Sequence, residues 1–437
     1  LEFLMKKKFI LLYSAIFLCT SLFAFEDSTF SGYLGLLADA PAKKELYSEG
    51  FVAGQLDFGG KIIFRGEVQL QTDDLLETSP LKRKEDLNTV LNLNELSATY
   101  TYNHTASTHF FSAYLGNFEG AGSDIFLQRQ FGIKSIASPL TESYKGLGTS
   151  PFNEQYGAGV AYTVKFASPL AAGVYITVNK DNATGDEKKA VWTNLRFAGS
   201  YPYITFDING GINFPMEKES ESGDKVIFLV KYLVVDGGAN LLIGNRYTTS
   251  LFLQGGVKNI VINSDDTSKS NIDKGSAYFL SEMRMVFPRM QLNGTVFSIP
   301  DEYFSEMVFF RHQAIEAMNK ATEEPRAADE DSYSTLGFDA NLFTESIYLG
   351  SRPTTLGAHF TVTTPGWGLF DALEDLKKKN HEFTKCDKTF VLSPYISTPL
   401  LSGNLTGIVS LNVTALKDKD REKREAFRFL LGYKAQL

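Results

Sequence analysis

The sequence predicts an all-β chain: a transmembrane antiparallel β-barrel of about 18 strands with long, partly helical extracellular loops. Runs of about ten residues alternate apolar and polar side chains, the two-residue period of a strand. Short and long connections alternate between these runs, as in a barrel whose hairpin turns share one rim. Composition agrees: Phe 35, Tyr 20 and Gly 36 against Pro 14 suit strands and tight turns. Beyond the N-terminal region no eighteen-residue stretch is uninterruptedly apolar, which excludes a helical membrane protein.

From the N-terminus, Met5-Lys6-Lys7-Lys8 precedes the apolar run from Phe9 to Leu18, and Ala24 is the expected last residue before cleavage. Residues 1–24 therefore read as upstream residues plus a cleaved secretory signal, and 25–437 as one barrel domain. Leu18 occupies the position where a lipidated cysteine needs a small neighbour, so Cys19 does not read as an acylation site. With Cys19 in the signal, Cys386 has no partner, and no disulfide framework is expected. A net charge of −8 without a basic patch makes the chain a poor nucleic-acid binder.

Thr29 to Leu37 reads as the first strand. In Lys61 to Thr72, Ile62, Phe64, Val68 and Leu70 share one face, while Arg65, Glu67, Gln69 and Gln71 share the other. Tyr156 to Phe166, Tyr203 to Phe214 and Asn404 to Ala415 repeat the pattern, each long enough to cross a bilayer at a tilt. Short links are expected at Gly59-Gly60, Asn103 to Ala106, Ser168 to Leu170, Gly199 to Pro202, Asp236 to Gly238, Phe287 to Arg289 and Pro399 to Gly403. Longer polar links lie near 39–49, 73–90, 118–155, 181–188, 215–224, 259–274, 300–332, 365–388 and 417–424. The count is 18 strands with both ends on the short-turn side; the ambiguous segments Ala239 to Lys258 and Glu345 to Thr364 leave sixteen open. Two amphipathic helices are expected, Asp301 to Thr322 and Trp367 to Phe383. Tyr100, Tyr102, Tyr162, Phe166, Phe214 and Tyr433 fall near strand ends, where aromatic girdles form.

The last strand alternates Phe427, Phe429, Leu431, Tyr433, Ala435 and Leu437 with Ala426, Arg428, Leu430, Gly432, Lys434 and Gln436. It resembles the C-terminal assembly signal of bacterial outer-membrane proteins through Gly432, Ala435 and Leu437. It departs from that pattern at Leu437, where Phe or Trp is usual, and at Leu430, where a polar residue is usual. The resemblance implies a bacterial outer-membrane location with both barrel termini periplasmic. The partners it implies are outer-membrane lipid and, through this strand, the barrel-assembly machinery; a homotrimer is left open.

The third long connection, Phe118 to Gln155, mixes glycines with both charge signs. Its position resembles the constriction loop of general porins, which bends into the lumen toward basic wall residues. By that resemblance Glu119, Asp124, Arg129 and Lys134 face wall residues such as Arg65, Lys165, Arg196 and Arg428. Glu67 and Asp207, on polar strand faces, complete the pore-lining candidates. The rival arrangement is a loop that only covers the outer opening. Gly120-x-Gly122 lacks the lysine and strand-to-helix context of a phosphate loop. The five histidines show no metal-ligand spacing and no Gly-x-Ser-x-Gly elbow is present, so neither cofactor, metal nor enzymatic activity is expected. The function expected is a porin-like channel for passive diffusion of small hydrophilic solutes. The alternatives are a surface adhesin or structural barrel with a sealed lumen and, against the absence of an N-terminal hatch, a long-chain fatty-acid-type hydrophobic transporter.

Overall fold

The computed structural model describes residues 28–437 except 42–44, 73, 76–89, 144–151, 153–154, 182–187, 220–226, 230–231, 246–247, 264–275, 312–333, 379–383 and 418–425. The signal segment, the acidic pairs at 265–266 and 329–331, and His312 and His381 lie outside the described residues.

Eighteen strands close into one antiparallel barrel. They are β1 (Ser28–Pro41), β2 (Tyr47–Phe58), β3 (Ile62–Gln71), β4 (Val90–His104), β5 (Ser107–Asn117), β6 (Tyr156–Phe166), β7 (Leu170–Asp181), β8 (Lys188–Ser200) and β9 (Ile204–Glu219). The second half comprises β10 (Tyr232–Gly244), β11 (Ser250–Asn263), β12 (Ala277–Val286), β13 (Gln291–Pro300), β14 (Ser334–Leu349), β15 (Arg352–Thr364), β16 (Thr389–Leu400), β17 (Gly403–Asn412) and β18 (Phe427–Gln436). A short segment, Ile227–Leu229, pairs antiparallel with the end of β9. Closure is made by β1 on β18, in register from Tyr33 opposite Gln436 to Pro41 opposite Arg428. Chain order and spatial order coincide, so each strand lies beside its sequence neighbours and, among the described residues, no edge is left unpaired.

The two faces of the wall invert the pattern of a water-soluble core. Ile62, Phe64 and Leu70 on β3, Leu96 and Tyr100 on β4, and Phe429 and Leu431 on β18 stand exposed on the outside. Asp39, Glu49, Glu95, Asp207, Glu282 and Asp339 are buried on the inside. In hydrocarbon only a closed sheet or a helix pairs every backbone donor and acceptor, and this sheet is closed with its apolar face outward.

The strand count agrees with 18 and removes the sixteen-strand alternative. The Glu345 to Thr364 segment is two strands: Gly350, at φ +64°, makes the turn, and Pro353 sits opposite Tyr348 where β15 begins, so its missing N–H costs little ladder. Ala239 to Lys258 contains a hairpin turn between Gly244 and Ser250. The turn expected at Asp236 to Gly238 is instead the inside of β10, with a bulge between Val235 and Gly237. Its glycines serve a close approach described below.

The helix expected over Asp301 to Thr322 is absent from its described part, which forms two 3-10 turns, Asp301–Tyr303 and Val308–Phe310; residues 312–322 lie outside the description. Phe304, Met307, Val308, Phe309 and Phe310 are all buried, more apolar contact than one helix face can make. The second expected helix forms over Leu369–Lys378 and is here α2, the shorter α1 being Ile125–Phe131. Asn404 to Ala415 stops being strand at Asn412, whose side chain accepts from the Ala415 N–H at 3.0 Å and starts α3 (Val413–Lys417).

Candidate functional site

The connection after β5 turns into the lumen. Three left-handed residues make the turn possible: Gly116 (φ +105°), Glu119 (φ +52°) and Gly122 (φ +89°). Arg196 of β8 holds the turn from the wall, donating to the carbonyls of Glu119 at 2.5 Å and Ser123 at 3.2 Å while Asp207 of β9 neutralises it through Nε–Oδ1 at 2.8 Å. Tyr175 donates to the Glu119 carboxylate at 2.6 Å. Asp124, fully buried, accepts from the backbone N–H groups of Ile136 at 2.6 Å and Ala137 at 3.3 Å, tying the outgoing limb of the loop to the returning one. Between those limbs runs α1, closed by Gly132 at φ +63°.

The returning limb is fixed to the opposite wall. Arg284 of β12 donates to the carbonyls of Ile136 at 2.8 Å and Ala137 at 3.1 Å, and Ser138 donates to Glu282. Lys434 of β18 reaches Glu142 at 2.8 Å. The loop therefore crosses the lumen. Phe152 then docks onto β10 and β11, where Gly238 and Gly256 are direct cross-strand partners and a Cβ on either would collide with its ring. Tyr278 of β12 stacks on the same ring at 5.4 Å.

A second segment, 301–311, folds into the lumen after β13. It meets the first loop through Val308 N–H to the Glu142 carbonyl at 2.9 Å, a bridge between Ser143 and Met307, and Tyr303 donating to the Phe152 carbonyl. Phe126, Leu127, Ile136, Leu140 and Phe152 of the first loop and Phe304, Met307 and Phe310 of the second belong to one dry cluster. Its wall contacts include Leu37, Ile408 and Leu430, so the apolar residue that breaks the polar face of β18 is part of the footprint of the in-folded loops. The segment ends on Arg311, which pairs with Glu49 at 2.6 Å and Asp39 at 3.2 Å, while Arg428 shares Asp39 at 2.8 Å. Burial alone would lower the Arg311 pKa, but Glu49 and Asp39 outweigh it and raise it.

Toward the short-turn rim the lumen opens into a cavity of about 900 Å³, reaching from Leu401 and Asn404 up to Arg129 on α1. Arg65, Glu67, Glu95 and Arg129 line it. Arg129 pairs with Glu95 at 2.7 Å and Glu119 at 3.4 Å, and although burial lowers its pKa these two carboxylates raise it further, so it stays a cation. Arg65 donates to Gln55 at 2.7 Å and makes no ion pair among the described residues. Charges of both signs thus face one internal space large enough for many water molecules.

Comparison with solved structures returns outer-membrane barrels. OpdK of Pseudomonas aeruginosa, solved with vanillate, aligns over 94% of this chain and 99% of its own at 8% identity and a TM-score of 0.49. OccAB3 of Acinetobacter baumannii covers the same shares at 9% identity and a TM-score of 0.47. Wzi of Escherichia coli, an outer-membrane protein involved in group 1 capsule assembly and a carbohydrate-binding β-barrel, covers 95% of this chain and 86% of its own at 8% identity and a TM-score of 0.45. No protein-family model and no curated protein sequence matches the chain. At these identities the likeness is one of fold.

Of the pore-lining candidates, Arg65, Glu67 and Arg129 meet at the cavity. Glu67 accepts there from Asn94 at 2.9 Å. Glu119, Arg196 and Asp207 form a buried network beneath the loop, and Asp124 is a buried backbone tie. Lys165 lies 5.8 Å from the Phe131 ring centre, and Lys134 is exposed past the end of α1. Arg428 does not face this loop: it pairs with Asp39 and donates to the Arg311 carbonyl at 2.5 Å, serving the second segment. Sequence reading missed Glu95, Asp39, Glu49 and Arg311. Glu95 is an acid at an inward strand position; Asp39 and Glu49 fall at the two ends of the link expected near 39–49, whereas the first strand runs on to Pro41 and the second begins at Tyr47, which puts both acids on the inner wall.

Proposed function

We propose that the chain is a bacterial outer-membrane channel for small polar solutes, with short turns periplasmic and residues 118–155 forming its constriction. The observation that carries this reading is the charged cavity of about 900 Å³ under α1, open toward the short-turn rim and bounded above by the in-folded loops. A barrel that served only as scaffold would have no need of opposed guanidinium and carboxylate groups around an internal space. Planar-bilayer recording of the refolded protein tests it: discrete steps of conductance are expected, and silence from properly folded protein would contradict it.

A second reading is a barrel sealed against solutes that serves adhesion or structure. The dry cluster shared by both in-folded loops favours it. The two readings differ at Arg311. If the loops are a constriction, loosening the 301–311 segment enlarges the conductance; if they are a permanent seal, the barrel stays silent while the fold weakens.

A further inference from the structure

The segment that leads into α2 leaves the lumen side and climbs over the wall. On β13, Val296 faces out at 45% exposure, so Ser298, two residues on, shares its outward face. Ser298 lies opposite Phe279 of β12 and Leu336 of β14, both on that same face. Yet Ser298 is buried, and its hydroxyl accepts from the Leu369 N–H at 2.9 Å. Gly368 is pressed onto the outward side chain of Ser334, close enough that a Cβ there would collide. The first turn of α2 therefore rests on the outer surface of β13 and β14.

Its height follows from the strand. Two residues separate Ser298 from lipid-facing Val296, about 7 Å along β13 and less along the barrel axis because strands tilt. On β14 the lipid-facing residues Leu342 and Phe338 run up to the same level. The helix thus starts where the apolar band of the wall ends. Around its axis Leu369, Phe370, Leu373 and Leu376 fall on one arc, while Asp371, Glu374 and Asp375 fall on the opposite one. Leu373 is 52% and Leu376 75% exposed, and no residue of the helix is buried by protein. An apolar stripe that continues the lipid-facing band, with acids turned away, has the form of a helix lying in a bilayer interface. Lys377 falls within that arc, between Leu373 and Phe370, where its methylenes can run along the acyl surface and its ammonium reach the headgroups.

We propose that α2 is an interfacial anchor whose Leu369, Leu373 and Leu376 face enters the lipid leaflet at the long-loop rim; its occupant is the bilayer surface. This rests on the membrane-barrel reading. In a Cys19→Ser, Cys386→Ser background, a fluorophore is attached at Leu376→Cys on the stripe, Glu374→Cys on the polar face, and Leu342→Cys in the β14 band. Each refolded protein is placed in phosphatidylcholine–phosphatidylglycerol vesicles carrying spin-labelled lipid. The result expected is quenching at 376 at least twofold stronger than at 374, by shallow-labelled lipid in preference to deep, and insensitive to vesicle dilution. Equal quenching at 374 and 376, with aqueous iodide reaching both, overturns the proposal, as does protection at 376 that disappears on diluting protein in lipid, which would assign the stripe to a second copy. Quenching at 342 separates the cases: if that site also escapes lipid, the barrel reading fails, whereas a quenched 342 beside an unquenched 376 rejects the anchor alone.

Discussion

Phe152 lies in the space that a side chain on Gly238 would fill. Gly256, the cross-strand partner of Gly238, leaves the other half of the seat, and Tyr278 in the next strand closes it. This notch is where the in-folded loop meets the wall at Phe152. Replacing Gly238 by Val is expected to expel the ring at an overpacking cost of about 1–3 kcal/mol, and Phe152→Ala to cost about 3–5 kcal/mol through the cavity it leaves. Gly210→Ala, where an added Cβ meets nothing within 4 Å, is the control. Urea unfolding in detergent micelles and protease nicking within 118–155 read the result; a Gly238→Val protein as resistant as the control would refute the pin.

The notch also explains one misreading of the sequence. Asp236-Gly-Gly238 carries the residues of a tight turn, and nothing local tells a glycine needed for turning from one needed for another chain's approach. The barrel itself was legible because alternation on β3, β6, β9, β17 and β18 reports which face meets lipid. The in-folded loops were less so. Their footprint is written as inward apolar residues, Leu242, Phe252, Leu280, Phe297 and Leu430, which break the alternation at single positions on several strands. A period-two reading treats such positions as noise. Only the closed sheet places them on one inner surface.

Arg129 and Asp124, one basic and one acidic residue of the same loop, are expected to respond differently. Arg129→Gln leaves Glu95 at the cavity, and Glu119 buried behind it, without their shared cation, so the cation-to-anion permeability ratio should rise several-fold. Reversal potentials in a salt gradient measure it, and an unchanged ratio would place Arg129 off the permeation path.

Asp124 is sealed from solvent and occupied with backbone N–H groups. Asp124→Ala strands those donors at about 1–3 kcal/mol each, so loss of loop stability is the expected result. A Asp124→Ala protein with wild-type unfolding but shifted ion selectivity would reverse this assignment.

Arg311 anchors the second segment. Arg311→Ala leaves Asp39 with Arg428 and takes from Glu49 its Arg311 partner, a break in a buried charge cluster of about 3–5 kcal/mol. Arg311→Lys is not expected to rescue it, because the three donors of an ammonium radiate from one nitrogen and lack the spread of the two guanidinium nitrogens that separately reach Asp39 and Glu49. Larger or noisier single-channel steps are expected for both variants, with heat-modifiable migration in gels retained because the barrel ladder is intact. Steps identical to wild type would show that the segment does not narrow the path.

The central claim is that a two-residue rhythm sorts lipid from lumen around a closed wall, and β3 tests it most directly. Spin labels placed one at a time from Ile62 to Gln71 in the bilayer-reconstituted protein are read for collision with oxygen, which concentrates in lipid, and with a water-soluble nickel complex. The account predicts oxygen maxima at 62, 64 and 70 and oxygen minima at 65, 67 and 69, in alternation along the strand. Accessibility that varies smoothly, or that gives positions 62, 64 and 70 to the nickel complex, would contradict it.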